Sequence, residues 1–134
     1  SQAMLDLSKD EYSKNRTTFD IVDATKIKYH NTSMDIIISL RLFQRLPEST
    51  RKQILSEYNR VCKDFMIISY SFNSNWQKIR YKIKKTLNKK TPKFFSLDKD
   101  SIIKELEYHG FEIVMFDFVY RVLSSEIIFL VKKK

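Results

Sequence analysis

The 134-residue chain predicts a three-layer α/β fold: a mostly parallel sheet between helices, closed by an antiparallel hairpin. Three observations predict it. Helix-period and strand-like apolar runs alternate along the chain. Two of the runs, MDIIISL and FMIISYS, are apolar at consecutive positions, the pattern of strands covered on both faces. The final pair, EIVMFDFVY and EIIFLVKKK, is separated only by RVLSS, which suits a hairpin and is too short for a crossover.

SQAMLDLSKDEYSKN reads as a helix with Ala3, Met4 and Leu7 turned inward, ending before Asn15. TFDIVDA follows as a strand, and the polar loop TKIKYHNTS leads to MDIIISL. PESTRKQILSEYNRVCKD is helical, because Pro47 suits a first turn and Ile54, Leu55, Tyr58, Val61 and Cys62 form one apolar stripe. After the strand FMIISYS comes NWQKIRYKIKKTLNKK, helical and strongly basic. SLDKDSIIKELEYHGF offers a serine or aspartate start, an apolar face of Ile102, Ile103 and Leu106, and a stop at Gly110. In open sheets of this class the ligand crevice lies beyond the carboxyl ends of the strands. Asp23-Ala24, Ser39–Arg41 and Tyr70-Ser71 therefore fall on one rim.

Composition narrows the function classes. No apolar run approaches the roughly 18 residues of a membrane span, and no signal-peptide pattern opens the sequence. The lone cysteine, Cys62, leaves no internal disulfide and points to a reducing, cytoplasmic setting, with a buried and inert thiol. His30 and His109 sit apart with no cysteine cluster beside them, so no metal site is expected. The net charge of +9 is concentrated in an acid-free stretch from Lys78 to Lys93 and in the Lys132–Lys134 tail. Such charge draws a protein to phosphate, whether of a nucleotide, a nucleic acid or an anionic lipid.

Several segments resemble one known family, the class I (Rossmann-like) S-adenosylmethionine-dependent methyltransferases. SQAMLDLSK resembles the small-x-x-Met-Leu helix start that follows their second strand. DATKIKYHNTSMDIIISLRLFQRL is similar to their Asp-Ala, loop and Asp-apolar-strand segment. PESTRKQILSEYNRVCKDFMIIS matches the next helix and strand, and SLDKDSIIKELEYHGFEIV their late helix, Gly-Phe and penultimate strand. The resemblance spans nearly the whole chain, residues 1–134, with 75–93 as a basic helical insertion or lid. One departure stands out. The family's first strand runs into a glycine-rich cofactor turn, whereas the single glycine here, Gly110, ends a late helix. The family's sheet order also places its first two strands between TFDIV and MDIII. The expectation is thus a C-terminal portion of a methyltransferase, with those two strands lying outside the chain. A gap roughly 10 Å wide would remain, to be filled by the N-terminal half of the same protein or by a second chain.

The resemblance implies roles residue by residue. Asp23 would accept a hydrogen bond from the adenine amino group, as an acceptor-only carboxylate can, and the backbone N–H of Ala24 would serve a ring nitrogen. A loop cap at a strand end is the competing role for Asp23. Met4 would lie on the adenine or ribose face, or pack in the core. Ser39, Leu40 and Arg41 would border the methionine part of S-adenosylmethionine, chiefly through backbone groups. Arg41 reads equally as a contact for a carboxylate or phosphate and as a solvated residue. Tyr70, Tyr120 and Arg121 are rim candidates for acceptor contact. No residue qualifies as a general base, and Gln44 stands where many relatives carry a histidine. The catalytic assignment therefore stays unknown.

The expected activity is methyl transfer to a small-molecule or lipid-linked acceptor, with residues 1–134 alone inactive. The basic helix reads as a lid, as an interfacial helix on anionic membrane, or less well as a nucleic-acid surface. From a different class, the alternative is a non-catalytic basic binding module on a degenerate methyltransferase scaffold.

Overall fold

The computed structural model describes residue 6 and residues 17–72, 95–119 and 126–134. Asp6 lies in a helix, while the rest of the expected N-terminal helix, the basic segment 75–93 and the hairpin link fall outside the described residues. Within them the sheet has four strands: β1 (Met34–Ser39), β2 (Cys62–Ser71), β3 (Phe111–Phe118) and β4 (Glu126–Lys133). Their order is β1-β2-β4-β3; β1 and β2 run parallel, and β4 is antiparallel to both its neighbours. Helix α1 (Glu48–Val61) makes the crossover from β1 to β2, and α2 (Lys99–Tyr108) precedes β3.

Local chemistry explains both helices. Pro47 is the residue before the first turn of α1, where its missing N–H costs nothing. At the start of α2 the Asp98 carboxylate accepts from the Ser101 backbone N–H at 3.0 Å and from its hydroxyl at 2.6 Å. Gly110 ends α2 with φ +81°, and a Cβ there would stand 2.8 Å from Asn59 Nδ2, so glycine is required. Cys62 caps α1 but belongs to β2 as its first residue, so the strand begins three residues before the FMIISYS run. Its thiol is buried, and burial pushes its pKa up.

Alternation along β2 sorts the core. Met66, Ile68 and Tyr70 face the helices and pair with Val131, Phe129 and Ile127 respectively on the neighbouring strand, all at most 1% exposed. Ile54, Leu55 and Tyr58 of α1 and Ile102 and Leu106 of α2 close over them. Both helices thus cover the same face. A buried ion pair ties them together: Arg51 Nε lies 3.1 and 3.3 Å from the Glu105 carboxylate oxygens, and Arg51 Nη1 donates to the Leu46 carbonyl. The side chains of this pair are 4% and 7% exposed.

Two expectations need correction. TFDIVDA forms no strand among the described residues: positions 17–23 are unpaired, and Ile21 is largely exposed. A strand exists only by exchanging backbone hydrogen bonds with a neighbour, and none of the described strands runs beside this segment. MDIIISL is a strand, but it forms the sheet edge rather than a doubly covered centre. Ile36 and Ile38 are 57% and 65% exposed, on the face away from the helices. The described residues accordingly supply two layers, and the third expected layer is not among them.

Candidate active site at the end of the first strand

Strand β1 stops at Ser39, the last residue paired with β2, opposite Ile68. The Ser39 hydroxyl, 5% exposed, accepts a hydrogen bond from the buried Tyr58 phenol at 3.1 Å. Burial raises the Tyr58 pKa, so the phenol holds its proton for that bond. Leu40 follows, half exposed, and Arg41 then adopts φ +60°. A left-handed conformation costs a non-glycine residue about 1–2 kcal/mol. What holds it is a second hydroxyl: the Arg41 N–H donates to Ser69 Oγ at 2.8 Å. Beyond this point the Arg41 side chain runs toward β4, its Nε 3.7 Å from Glu126 Oε2. The arginine is 76% exposed, so this pair contributes under about 1 kcal/mol.

The other edge begins at Asp23. Its Oδ1 accepts from the Thr25 N–H at 2.9 Å and the Thr25 hydroxyl at 2.7 Å, and Lys26 N–H donates to its carbonyl at 3.0 Å. The two bonds from Thr25 lower the carboxyl's pKa from its ordinary value. The loop-cap role is therefore present in the structure. Farther along, residues 27–32 are stapled to the last turn of α1. Glu57 Oε2 accepts from the Ile27 N–H at 2.8 Å, and Arg60 donates to the carbonyls of Ile27 and Tyr29 and to Asn31 Oδ1. Arg60 is itself paired with Glu57 at 2.8–2.9 Å. Arg60 and the Ile27 N–H together bring the Glu57 pKa down to about 2.

Between this loop and β1 runs an apolar groove of about 320 Å3, lined by Val22, Ala24, Ile36, Ile38, Tyr58 and Val61 among others. The structure thus brings Ala24 alongside β1. Tyr70 is corrected: it is 1% exposed and packs in the core against Phe43 and Phe129, with ring centroids 5.1 and 6.4 Å away. Its hydroxyl is a buried side-chain oxygen without a hydrogen-bond partner among the described residues. The physical reason is the two-residue period of a strand, which sends Tyr70 to the helix face with Ile68 and sends Ser69 and Ser71 to the other. Ser69 was passed over in the sequence, although the alternation in SYS was the available signal. Glu57 and Arg60 were equally invisible, reading as solvated helix charges. Met4, Tyr120 and Arg121 lie outside the described residues.

These residues fit one wall of an S-adenosylmethionine site. Asp23 is an acceptor on a loop at the strand ends, and Ser39–Arg41 form a fixed turn there. The opposite wall, where backbone must approach a ligand closely, requires glycine, and Gly110 is committed to the end of α2.

A family profile described as a methyltransferase domain matches residues 1–65. Magnesium protoporphyrin IX methyltransferase from Synechocystis PCC 6803, solved with bound SAH, superposes at a TM-score of 0.84 over 100% of this chain, with 16% identity. The fold is that of the class I methyltransferases. A SAM-dependent methyltransferase from Methanosarcina mazei agrees, with a TM-score of 0.74, 16% identity, and coverage of 99% of this chain and 78% of that one. The (4+2)-cyclase SpnF gives 0.71 at 14% identity, covering 99% of this chain and 63% of its own. No curated protein matches in sequence. The chain spans 61% of the Synechocystis enzyme solved with SAH and 56% of the same enzyme solved with SAM. The α/β methyltransferase fold read from the sequence is borne out, while the described sheet is mixed, with one parallel and two antiparallel pairings.

Proposed function

We propose that the protein is an S-adenosylmethionine-dependent methyltransferase acting on a small-molecule or lipid-linked acceptor. The observation that carries the reading is the methyltransferase-domain match over residues 1–65, which includes both the Asp23 loop and the turn at the end of β1. In this reading Asp23 and the Ala24 N–H hold the adenine edge, Met4 its face, and Ser39–Arg41 the methionine part. The bound cofactor supplies a methyl group already activated by the sulfonium charge. The chain's own contribution is alignment, since fixing the reacting groups in line lowers the barrier by several kcal/mol, and a base is needed only for a protonated acceptor. Tyr120 and Arg121 are proposed acceptor contacts, with segment 75–93 as a lid whose basic face meets anionic groups.

We propose further that the site is completed at the open edge of β1, by the N-terminal half of the same protein or by a second chain. In support, the edge has no pairing strand among the described residues and exposes Ile36 and Ile38, and an apolar groove separates it from residues 22–24. Calorimetry on the protein as its gene encodes it tests the reading. Micromolar affinity for S-adenosylhomocysteine is expected, and no binding at millimolar ligand would overturn it. One observation favours the second reading, a binding module without catalysis: the commitment of Gly110 to a helix end. Absent nucleotide binding together with sedimentation on anionic vesicles at low salt would establish that alternative.

A further inference from the structure

We infer that Ser69 is a positioning residue for the cofactor's methionine end, acting through the backbone of Arg41; the inference rests on the methyltransferase reading. Three observations converge on it. First, the turn after β1 is held from both faces of the sheet by hydroxyls. Tyr58 pins Ser39 from the helix side, and Ser69, whose side chain lies on the other side, pins Arg41. Second, the pinned residue is strained. Arg41 sits at φ +60° without being glycine, so its conformation must be imposed by its surroundings, and the 2.8 Å bond to Ser69 Oγ is the backbone contact that imposes it. Third, Ser69 is itself enclosed: it is 1% exposed and lies in a strand paired on both sides, between Ile68, which pairs with Ser39, and Tyr70, which pairs with Ile127.

The geometry describes a handover. The β1–β2 ladder ends at the Ser39–Ile68 pair, and the next residue of β2 offers a side-chain oxygen as acceptor. The chain thereby turns across the end of β2 toward Glu126 instead of running on as a strand. Leu40, half exposed, lies between the two pinned residues. Loss of the Ser69 oxygen frees Arg41 to leave the left-handed region, and Leu40 moves with it. Ser69 touches no ligand in this account. Its effect is on where Leu40 and Arg41 stand.

A double-mutant cycle tests this on the protein as its gene encodes it, with S-adenosylhomocysteine affinity read by calorimetry and folding checked by thermal melts. S69A is expected to weaken binding about fivefold to tenfold, the loss of one hydrogen bond's worth of organisation. In an R41G background, where glycine adopts φ +60° without strain, S69A should change affinity less than about twofold. An equal loss in both backgrounds would make Ser69 an ordinary packing residue, and an unchanged affinity in the wild-type background would remove it from the site; either result overturns the inference while leaving the methyltransferase reading intact. No binding by wild type overturns both. Should S69A fail to fold, S69C keeps a similar volume with a weak acceptor and takes its place in the cycle under the same outcomes.

Discussion

Tyr70 shows how much a single side-chain direction decides. As a rim residue its phenol would meet an acceptor, and its removal would cost activity. In the structure the hydroxyl is buried without a hydrogen-bond partner among the described residues, near the charges of Glu105 and Arg51, and burial raises its pKa well above that of free tyrosine. An unpaired buried hydroxyl carries a desolvation penalty of about 1–3 kcal/mol. Tyr70→Phe keeps the ring contacts with Phe43 and Phe129 and removes only that oxygen. The expected outcome in urea denaturation is unchanged stability or a gain of about 1 kcal/mol, with S-adenosylhomocysteine affinity unaltered. A fall in methyl-transfer rate without a change in stability would return Tyr70 to the substrate side. Glu105 lies at the opposite extreme. Its carboxylate neutralises an arginine that is 3% exposed, so Glu105→Ala leaves an uncompensated buried charge between α1 and α2. A loss of about 3–5 kcal/mol is expected in the same assay.

Among the elements, α1 does more than fill space, because its last turn fixes the loop that carries the Asp23 edge. The Glu57 carboxyl is held near a pKa of about 2 by Arg60 and the Ile27 N–H, against 4.5 when free. A depressed folded-state pKa means stability that is fully present above pH 4.5 and lost as pH falls from there through about 2. Hydrogen exchange at Ile27 and Thr32, followed from pH 6 to pH 3, should therefore speed up beyond the intrinsic trend in the wild type. Glu57→Gln removes the charged partner, so its loop should already be loose at pH 6, and acid should add little. The element is also where legibility divides. Both helices and their caps were readable, since Pro47, Asp98 and Gly110 act on their own neighbours. Apolarity alone predicts TFDIVDA as a strand, and apolarity does not say whether a partner lies alongside. The candidate site is legible where it follows chain order, since Asp23-Ala24 and Ser39–Arg41 are placed by the runs beside them. The groups that fix it, Ser69, Glu57 and Arg60, become visible only when strands pair and a helix packs back.

At the scale of the whole molecule the described sheet is covered unevenly. Among the described residues its edges are β1 and β3 and the helices cover one face, while β1 turns two isoleucines toward solvent on the other. An apolar strand edge is a template for any further strand, and proteins that leave one open guard it with charge or proline. In β1 the only charge is Asp35, at the start of the strand and exposed, where it pairs with Lys63. The net charge of +9 opposes association at low ionic strength, and that opposition is screened as salt rises. Residues 1–134 produced alone should therefore be monomeric in dilute buffer and self-associate as salt increases. The variant I36K/I38K should stay monomeric throughout in sedimentation velocity. In the protein as its gene encodes it, the same double substitution should instead abolish S-adenosylhomocysteine binding if the proposed completing polypeptide packs against this edge, because two lysines would then stand in its path. Equal behaviour of variant and wild type in both experiments would mean that the β1 edge is a solvated border, and that the site is completed elsewhere.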